Sequence, residues 1–191
     1  MDFIQKIEKD WTLFIDRDGV INHEKREDYI LHWNEFRFYD KTIEAMNILA
    51  SIFSTIIVVT NQRGVGKGLM TEADLELIHT NMKAEIKAAG GRIDKIYFCS
   101  SLDNNCFERK PNPGMAHKAK QDFPSINFNK SVMIGNKLSD MNFGRNAGMF
   151  TIYVDTTDPE VPAPNPVIDL RFKNLSEVAK AFKKRSAGYS I

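Results

Sequence analysis

Short apolar runs alternate with amphipathic stretches along most of the chain, the pattern of strands and helices built around a mostly parallel sheet. Leu13-Phe14-Ile15 reads as the first strand, and the β-branched run Thr55-Ile56-Ile57-Val58-Val59 as a fully buried second one. Between them, Ile43, Met46, Ile48, Leu49 and Ile52 fall near helical spacing. Thr71 with Asp74 three residues on predicts a capped helix to about residue 89, ended by Gly90-Gly91. Strands follow at 94–98, 131–134 and 150–154, with helices from Pro113-Gly114 to 123 and over 139–147. The prolines 159, 162, 164 and 166 punctuate an extended connection to a last strand at 167–170 and a helix over 176–185. The expected fold is a Rossmann-like three-layer α/β/α sandwich without a large cap domain, one domain spanning 1–191.

The stretch from Asp16 to Asp40 is too long for an ordinary strand-to-helix connection of about 2–6 residues, which points to function. Trp33, Phe36, Phe38 and Tyr39 within it are expected to pack the loop over the sheet edge.

Charge removes some classes of partner. Lys plus Arg number 26 and Asp plus Glu 25, so a net charge of +1 provides no global field for a nucleic-acid backbone or an anionic membrane. Two cysteines are too few for a disulfide scaffold, the acidic N-terminus does not read as a signal peptide, and no apolar run approaches the ~18 residues of a membrane span. A cytoplasmic protein is expected, with no nucleic-acid or membrane partner.

In open α/β sheets ligands bind beyond the carboxyl ends of the strands, and four such ends are polar here. They are Asp16-Arg17-Asp18-Gly19-Val20-Ile21-Asn22, Thr60-Asn61-Gln62-Arg63-Gly64, Arg109-Lys110-Pro111, and Gly135-Asn136-Lys137-Leu138-Ser139-Asp140. Two carboxylates two apart can divide nucleophilic and proton-transfer work if their environments differ. With Asp140 they form an oxygen cluster suited to Mg²⁺, while Thr60, Asn61, Arg109 and Lys110 offer hydrogen bonds and positive charge to a phosphate. Taken singly, an Asp-x-Asp after a strand is more often a turn and cap device. The order and spacing of all four carry more.

Those four segments, in that order, resemble the motifs of the haloacid dehalogenase superfamily of phosphohydrolases. Val59 to Gly68, Ile93 to Cys99 and Arg109 to Met115 further resemble its capless subgroup of heptose-bisphosphate and histidinol-phosphate phosphatases, over about residues 11–154. The resemblance implies a Mg²⁺-dependent phosphatase acting on a small phosphorylated metabolite. The first expectation is a sugar bisphosphate such as D-glycero-D-manno-heptose 1,7-bisphosphate; histidinol phosphate is the alternative. It implies Asp16 as the nucleophile that becomes an aspartyl-phosphate and Asp18 as the acid and base. Thr60 and Lys110 would steady the phosphoryl group, and Asn61, Gln62, Arg63 and Arg109 would contact substrate. Asp16, Asp18 through its carbonyl, Asn136 and Asp140 would form the metal site.

The chain departs from that pattern in two places. Asn136 stands where the subgroup carries an Asp that ligates the metal, so a weaker metal site, or a member that binds phosphate without turnover, is the competing expectation. Cys99 and Cys106 survive from a zinc loop whose other positions hold Ser101 and Glu108, so zinc is not expected. Arg63-Gly-Val-Gly-Lys-Gly68 lacks the spacing of a nucleotide loop and is expected to be a substrate-facing loop with glycines free to take positive φ. His23, His32, His79 and His117 have no metal spacing and are expected at the surface.

Overall fold

The computed structural model describes residues 2–157 and 160–186, so Pro159 of the proline-punctuated connection lies outside the described residues. Six strands form one sheet: β1 (Thr12–Ile15), β2 (Thr55–Asn61), β3 (Lys95–Cys99), β4 (Ser131–Gly135), β5 (Phe150–Val154) and β6 (Leu170–Phe172), in the spatial order β3-β2-β1-β4-β5-β6. All five pairings are parallel. The order reverses at β1, whose neighbours are β2 on one side and β4 on the other, and a crevice opens at such a switch point.

Alternation along each strand sorts the side chains into two layers. Leu13, Ile15, Ile56, Val58, Val132 and Ile134 face one core, shared with helices α1 (Asp2–Lys6), α2 (Thr42–Ile52), α4 (Glu72–Ala88) and α7 (Leu175–Ser186). Phe14, Ile57, Val59 and Met133 face the other, covered by α5 (Gly114–Asp122) and α6 (Leu138–Ala147). The four-residue turn α3 (Arg63–Gly66) follows β2 directly. Among the described residues no helix is long and apolar enough to cross a membrane.

The helix signals behave as their chemistry requires. The Thr71 hydroxyl accepts from the Asp74 N–H at 3.1 Å and the Asp74 carboxylate accepts from the Thr71 N–H at 2.9 Å, a reciprocal cap on α4. Gly90 ends that helix with φ +83°, a conformation costly for any residue bearing a Cβ.

Three local expectations are corrected. The last strand begins at Leu170 rather than 167, because Val167 and Ile168 pack beside Met141, Tyr153 and Val161 and the Asp169 carboxylate takes the Thr151 N–H at 2.8 Å before pairing starts. Residues 63–66 form a helical turn, and within 63–68 only Gly68 has positive φ, +69°. Gly64 and Gly66 serve close approach instead: an added Cβ would lie 3.3 Å from the Tyr29 ring and 2.0 Å from the Ser100 carbonyl oxygen. His79 is buried on α4, where Phe98 approaches its ring at 6.3 Å, whereas His23, His32 and His117 are exposed. Of the aromatics in the long first loop, Phe36 is buried and stacks on Trp33 at 4.9 Å, and Phe38 meets it edge-on at 5.0 Å, so the loop is folded down onto the larger core.

Candidate active site

The strand ends of β1, β2 and β4 bring Asp16, Thr60 and Asn136 to the switch point, and the loop after β3 delivers Lys110 between them. The Asp16 N–H donates to the Ile134 carbonyl at 2.9 Å, continuing the β1–β4 ladder one residue and fixing where the side chain emerges. Lys110 Nζ lies 2.8 Å from Asp16 Oδ1 and 2.7 Å from Asp140 Oδ1, and donates to the Val59 carbonyl at 2.8 Å. Three acceptors use all three ammonium hydrogens of a buried lysine, so one cation bridges two acids. Asn61 holds the lysine backbone from both sides: its Nδ2 donates to the Lys110 carbonyl and its Oδ1 accepts the Lys110 N–H, each at 3.1 Å.

The two aspartates after β1 have opposite environments. Burial pushes the Asp16 carboxyl up to about 7; Lys110 pulls it down and Asp140 pushes it up further. Burial also raises Asp18, but the Arg17 guanidinium and the hydrogen bonds of Arg17, Asn22 and Gln62 outweigh it and hold the carboxyl below its ordinary range. Arg17 Nη2 reaches both Asp18 oxygens at 2.8 Å, Asn22 Nδ2 reaches Oδ1 at 2.9 Å and Gln62 Nε2 reaches Oδ2 at 2.8 Å. Arg17 is itself buried, and its Nη1 meets His79 Nε2 at 3.2 Å. Burial, the largest influence, and the adjacent Arg17 charge hold the imidazole near 3, so His79 is neutral and its Nε2 accepts from the guanidinium.

The remaining expected residues are placed less uniformly. Thr60 is buried and its hydroxyl accepts from Gln62 Nε2 at 2.9 Å, so Gln62 braces Asp18 and Thr60 together. Both Asp140 oxygens are engaged: Oδ1 takes Lys110, and Oδ2 accepts the N–H groups of Asn136 at 3.1 Å and of Lys137, the N-cap residue of α6, at 3.0 Å. Arg109 points into its own loop, bonded to the Ser101 carbonyl at 3.2 Å and to Asn104 Oδ1 at 3.3 Å, and Arg63 points to the Leu102 carbonyl at 3.3 Å. Cys99 and Cys106 sit with sulfurs 3.9 Å apart, and Cys106 donates to Glu108 Oε2 at 3.3 Å.

A cleft of about 610 Å³ opens above Asp18, walled by Asn61, Gln62, Tyr29, Lys137 and Thr157 and by the acidic and basic residues 24–28. Sequence reasoning assigned no role to Arg17, Asn22, His79 or Thr157. Arg17 is the middle residue of the Asp-x-Asp and Asn22 lies four residues beyond Asp18, close enough in sequence to suggest a contact; His79 and Thr157 are 61 and 139 residues from Asp18, with no spacing to connect them.

Fit to a hard cation rests on three observations. Asn136 is buried and its Oδ1 has no hydrogen-bond partner. Burial is the largest influence raising the Asp16 carboxyl, so a cation beside it would favour its charged form. The atoms at the corner able to ligate a cation, the Asp16 carboxylate, the Asp18 carbonyl and Asn136 Oδ1, are oxygens, as Mg²⁺ prefers. Among the described residues no three His, Cys, Asp or Glu side chains converge on one metal position, so a site here mixes a carboxylate with an amide and a main-chain oxygen.

A family model described as HAD-hydrolase-like matches residues 107–175. A D-glycero-alpha-D-manno-heptose-1,7-bisphosphate 7-phosphatase of Campylobacter jejuni is 34% identical over 174 residues, covering 91% of this chain and 96% of that protein. A D-glycero-beta-D-manno-heptose-1,7-bisphosphate 7-phosphatase of Escherichia coli K12 is 32% identical over 183 residues, covering 91% and 94%. Among solved structures, a D,D-heptose 1,7-bisphosphate phosphatase from B. bronchiseptica complexed with magnesium and phosphate superposes with a TM-score of 0.82 at 24% identity, over 91% of this chain and 98% of that one. About a third of the residues are shared along nine-tenths of the length with phosphatases of one kind, and the chain belongs to the D-glycero-D-manno-heptose-1,7-bisphosphate 7-phosphatase family of haloacid dehalogenase-like hydrolases.

Proposed function

We propose that this phosphatase removes one phosphate from a sugar bisphosphate, D-glycero-D-manno-heptose 1,7-bisphosphate, with Asp16 as the nucleophile. The observation that carries the reading is Lys110, held 2.8 Å from Asp16 and 2.7 Å from Asp140 at the switch point of the sheet. Lys110 gives its three hydrogens to Asp16, Asp140 and the Val59 carbonyl. As the Asp16 oxygen bonds to phosphorus, the hydrogen it held is freed to turn, with the buried positive charge, to the oxygens of the transferring group. The Thr60 hydroxyl, which accepts from Gln62, keeps its own hydrogen for a phosphoryl oxygen. Asp16 would displace the sugar oxygen in line, giving an aspartyl-phosphate and an alcohol once Asp18 supplies a proton; Asp18 would then take a proton from the water that hydrolyses the intermediate. Arg17, Asn22 and Gln62 hold Asp18 as the carboxylate, the form that the second step uses. Protonating it for the first step requires that clamp to loosen when substrate enters the cleft that Asp18 lines.

Mg²⁺ would be held by the Asp16 carboxylate, the Asp18 carbonyl and Asn136 Oδ1, and when bound it neutralises phosphate charge and lowers the Asp16 carboxyl. Asp140 serves by holding Lys110 and the Asn136 N–H rather than by giving up its oxygens. Arg26, which has no ion-pair partner among the described residues and lines the cleft, is the cation available to a second phosphate.

The test is phosphate release from both anomers of the heptose bisphosphate, from histidinol phosphate and from a plain sugar monophosphate, with and without Mg²⁺. Mg²⁺-dependent release with the bisphosphate preferred is the expected result. Preference for histidinol phosphate would overturn the substrate reading, and no release from any of them would favour a protein that binds phosphate without turnover.

A further inference from the structure

An Asp at position 136 would present two equivalent oxygens to a cation, so either rotamer of its end group would serve. A carboxamide presents one oxygen and one N–H₂ group, and turned the wrong way it points two donors at the metal. Something must therefore choose the orientation of Asn136.

The choice is visible in its surroundings. Asn136 Nδ2 donates to Thr157 Oγ1 at 2.6 Å, while Oδ1 is buried and unpartnered. The nitrogen side of the amide is also the side crowded by Gly19, which has φ +84°: a Cβ there would lie 2.0 Å from Asn136 Nδ2 and 2.9 Å from Thr157 Oγ1. The neighbouring Thr156 hydroxyl donates to the Gly19 carbonyl. The connection after β5 thus grips the turn after Asp18 with one threonine and the Asn136 amide with the next. With Nδ2 given to Thr157 on the side packed close to Gly19, Oδ1 is left on the other limb of the amide.

We propose that Thr157 is a positioning residue of the metal site: its hydroxyl takes the Asn136 amide nitrogen and so presents Oδ1 to the divalent cation. The inference rests on the Mg²⁺ site proposed above.

Calorimetric titration of the full chain with MgCl₂ alone tests it without reference to turnover. Removing an outer partner of a metal ligand typically weakens metal affinity about 10–100-fold, and Thr157→Val is expected to fall in that range. Thr157→Ser, which keeps the hydroxyl, is expected to bind as the wild type does. Thr157→Ala, which adds no bulk, is measured beside the valine variant, and thermal unfolding of each metal-free variant confirms a folded state. In an Asn136→Asp background the valine substitution should cost much less, because either carboxylate oxygen then serves. Wild-type affinity in both Thr157→Val and Thr157→Ala would overturn the inference and leave the Mg²⁺ reading standing, as would an equal loss from the valine substitution with and without Asn136→Asp. Absence of Mg²⁺ binding by the wild type would overturn both.

Discussion

Replacing His79 by Gln should make the protein less sensitive to acid, and the size of the effect follows from the burial of one imidazole. His79 is 2% exposed and is held near 3 by burial and by Arg17, against 6.5 for the free side chain. Between those two values the unfolded chain binds a proton that the folded chain refuses. Stability from this group is therefore complete above 6.5 and is lost as pH falls towards 3. For one such group the loss between pH 7 and pH 5 is about 2 kcal/mol, and any folded-state value below about 4 gives the same result, because at pH 5 the folded imidazole is neutral in either case. Gln at this position offers Arg17 an oxygen acceptor and does not titrate. Urea unfolding of both proteins at pH 7 and pH 5 isolates the difference, since every other titrating group is common to both. The wild type should lose about 2 kcal/mol more than the variant over that interval. Equal losses would mean that His79 takes a proton in the folded state, and the neutral acceptor role argued for it beside Arg17 would be refuted.

Lys110→Met should remove turnover and also destabilise the fold. Breaking a buried ion pair by deleting one partner costs roughly 3–5 kcal/mol, and here two acids, Asp16 and Asp140, lose the same cation; denaturant unfolding at neutral pH reads the loss, and a change under about 1 kcal/mol would contradict the geometry. Thr71→Ala should cost about 1 kcal/mol by removing the reciprocal cap of α4, with unchanged turnover, because Thr71 is exposed and away from the cleft; an effect on turnover with no effect on stability would contradict that assignment.

The central strands β1, β2 and β4 were legible because they are short apolar runs buried on both faces, whereas the half-buried edge strand β6 gives no such run and begins three residues later than its spacing suggests. The α4 cap was legible because Thr71 and Asp74 act over one helical turn. The corner formed by Asp16, Thr60, Lys110 and Asn136 was legible because parallel strands deliver their carboxyl ends to one edge whatever the loops between them do. Other features depend on contacts between distant segments. Helix α1 is five residues long and is held by Phe3 and Ile4 packing into the larger core, a tertiary effect that local spacing does not carry. His79 looks like any polar residue on an amphipathic helix until the fold turns that face to Arg17. Asn61 and Gln62, expected to touch substrate, have their amides taken up by Lys110, Asp18 and Thr60, because a buried amide beside polar main chain satisfies itself within the protein. Thr157 matters only because the β5 connection returns over Gly19.

The central claim, that Asp16 is the nucleophile of a Mg²⁺-dependent phosphatase, is tested most directly by comparing steady-state phosphate release by the wild type and Asp16→Asn on heptose 1,7-bisphosphate. With the metal saturating and the folded state of each protein checked by circular dichroism, the variant should lose activity on the order of 10⁴-fold or more, as removal of an attacking group does in other enzymes. A folded Asp16→Asn protein that retains a tenth of the wild-type rate would contradict the account.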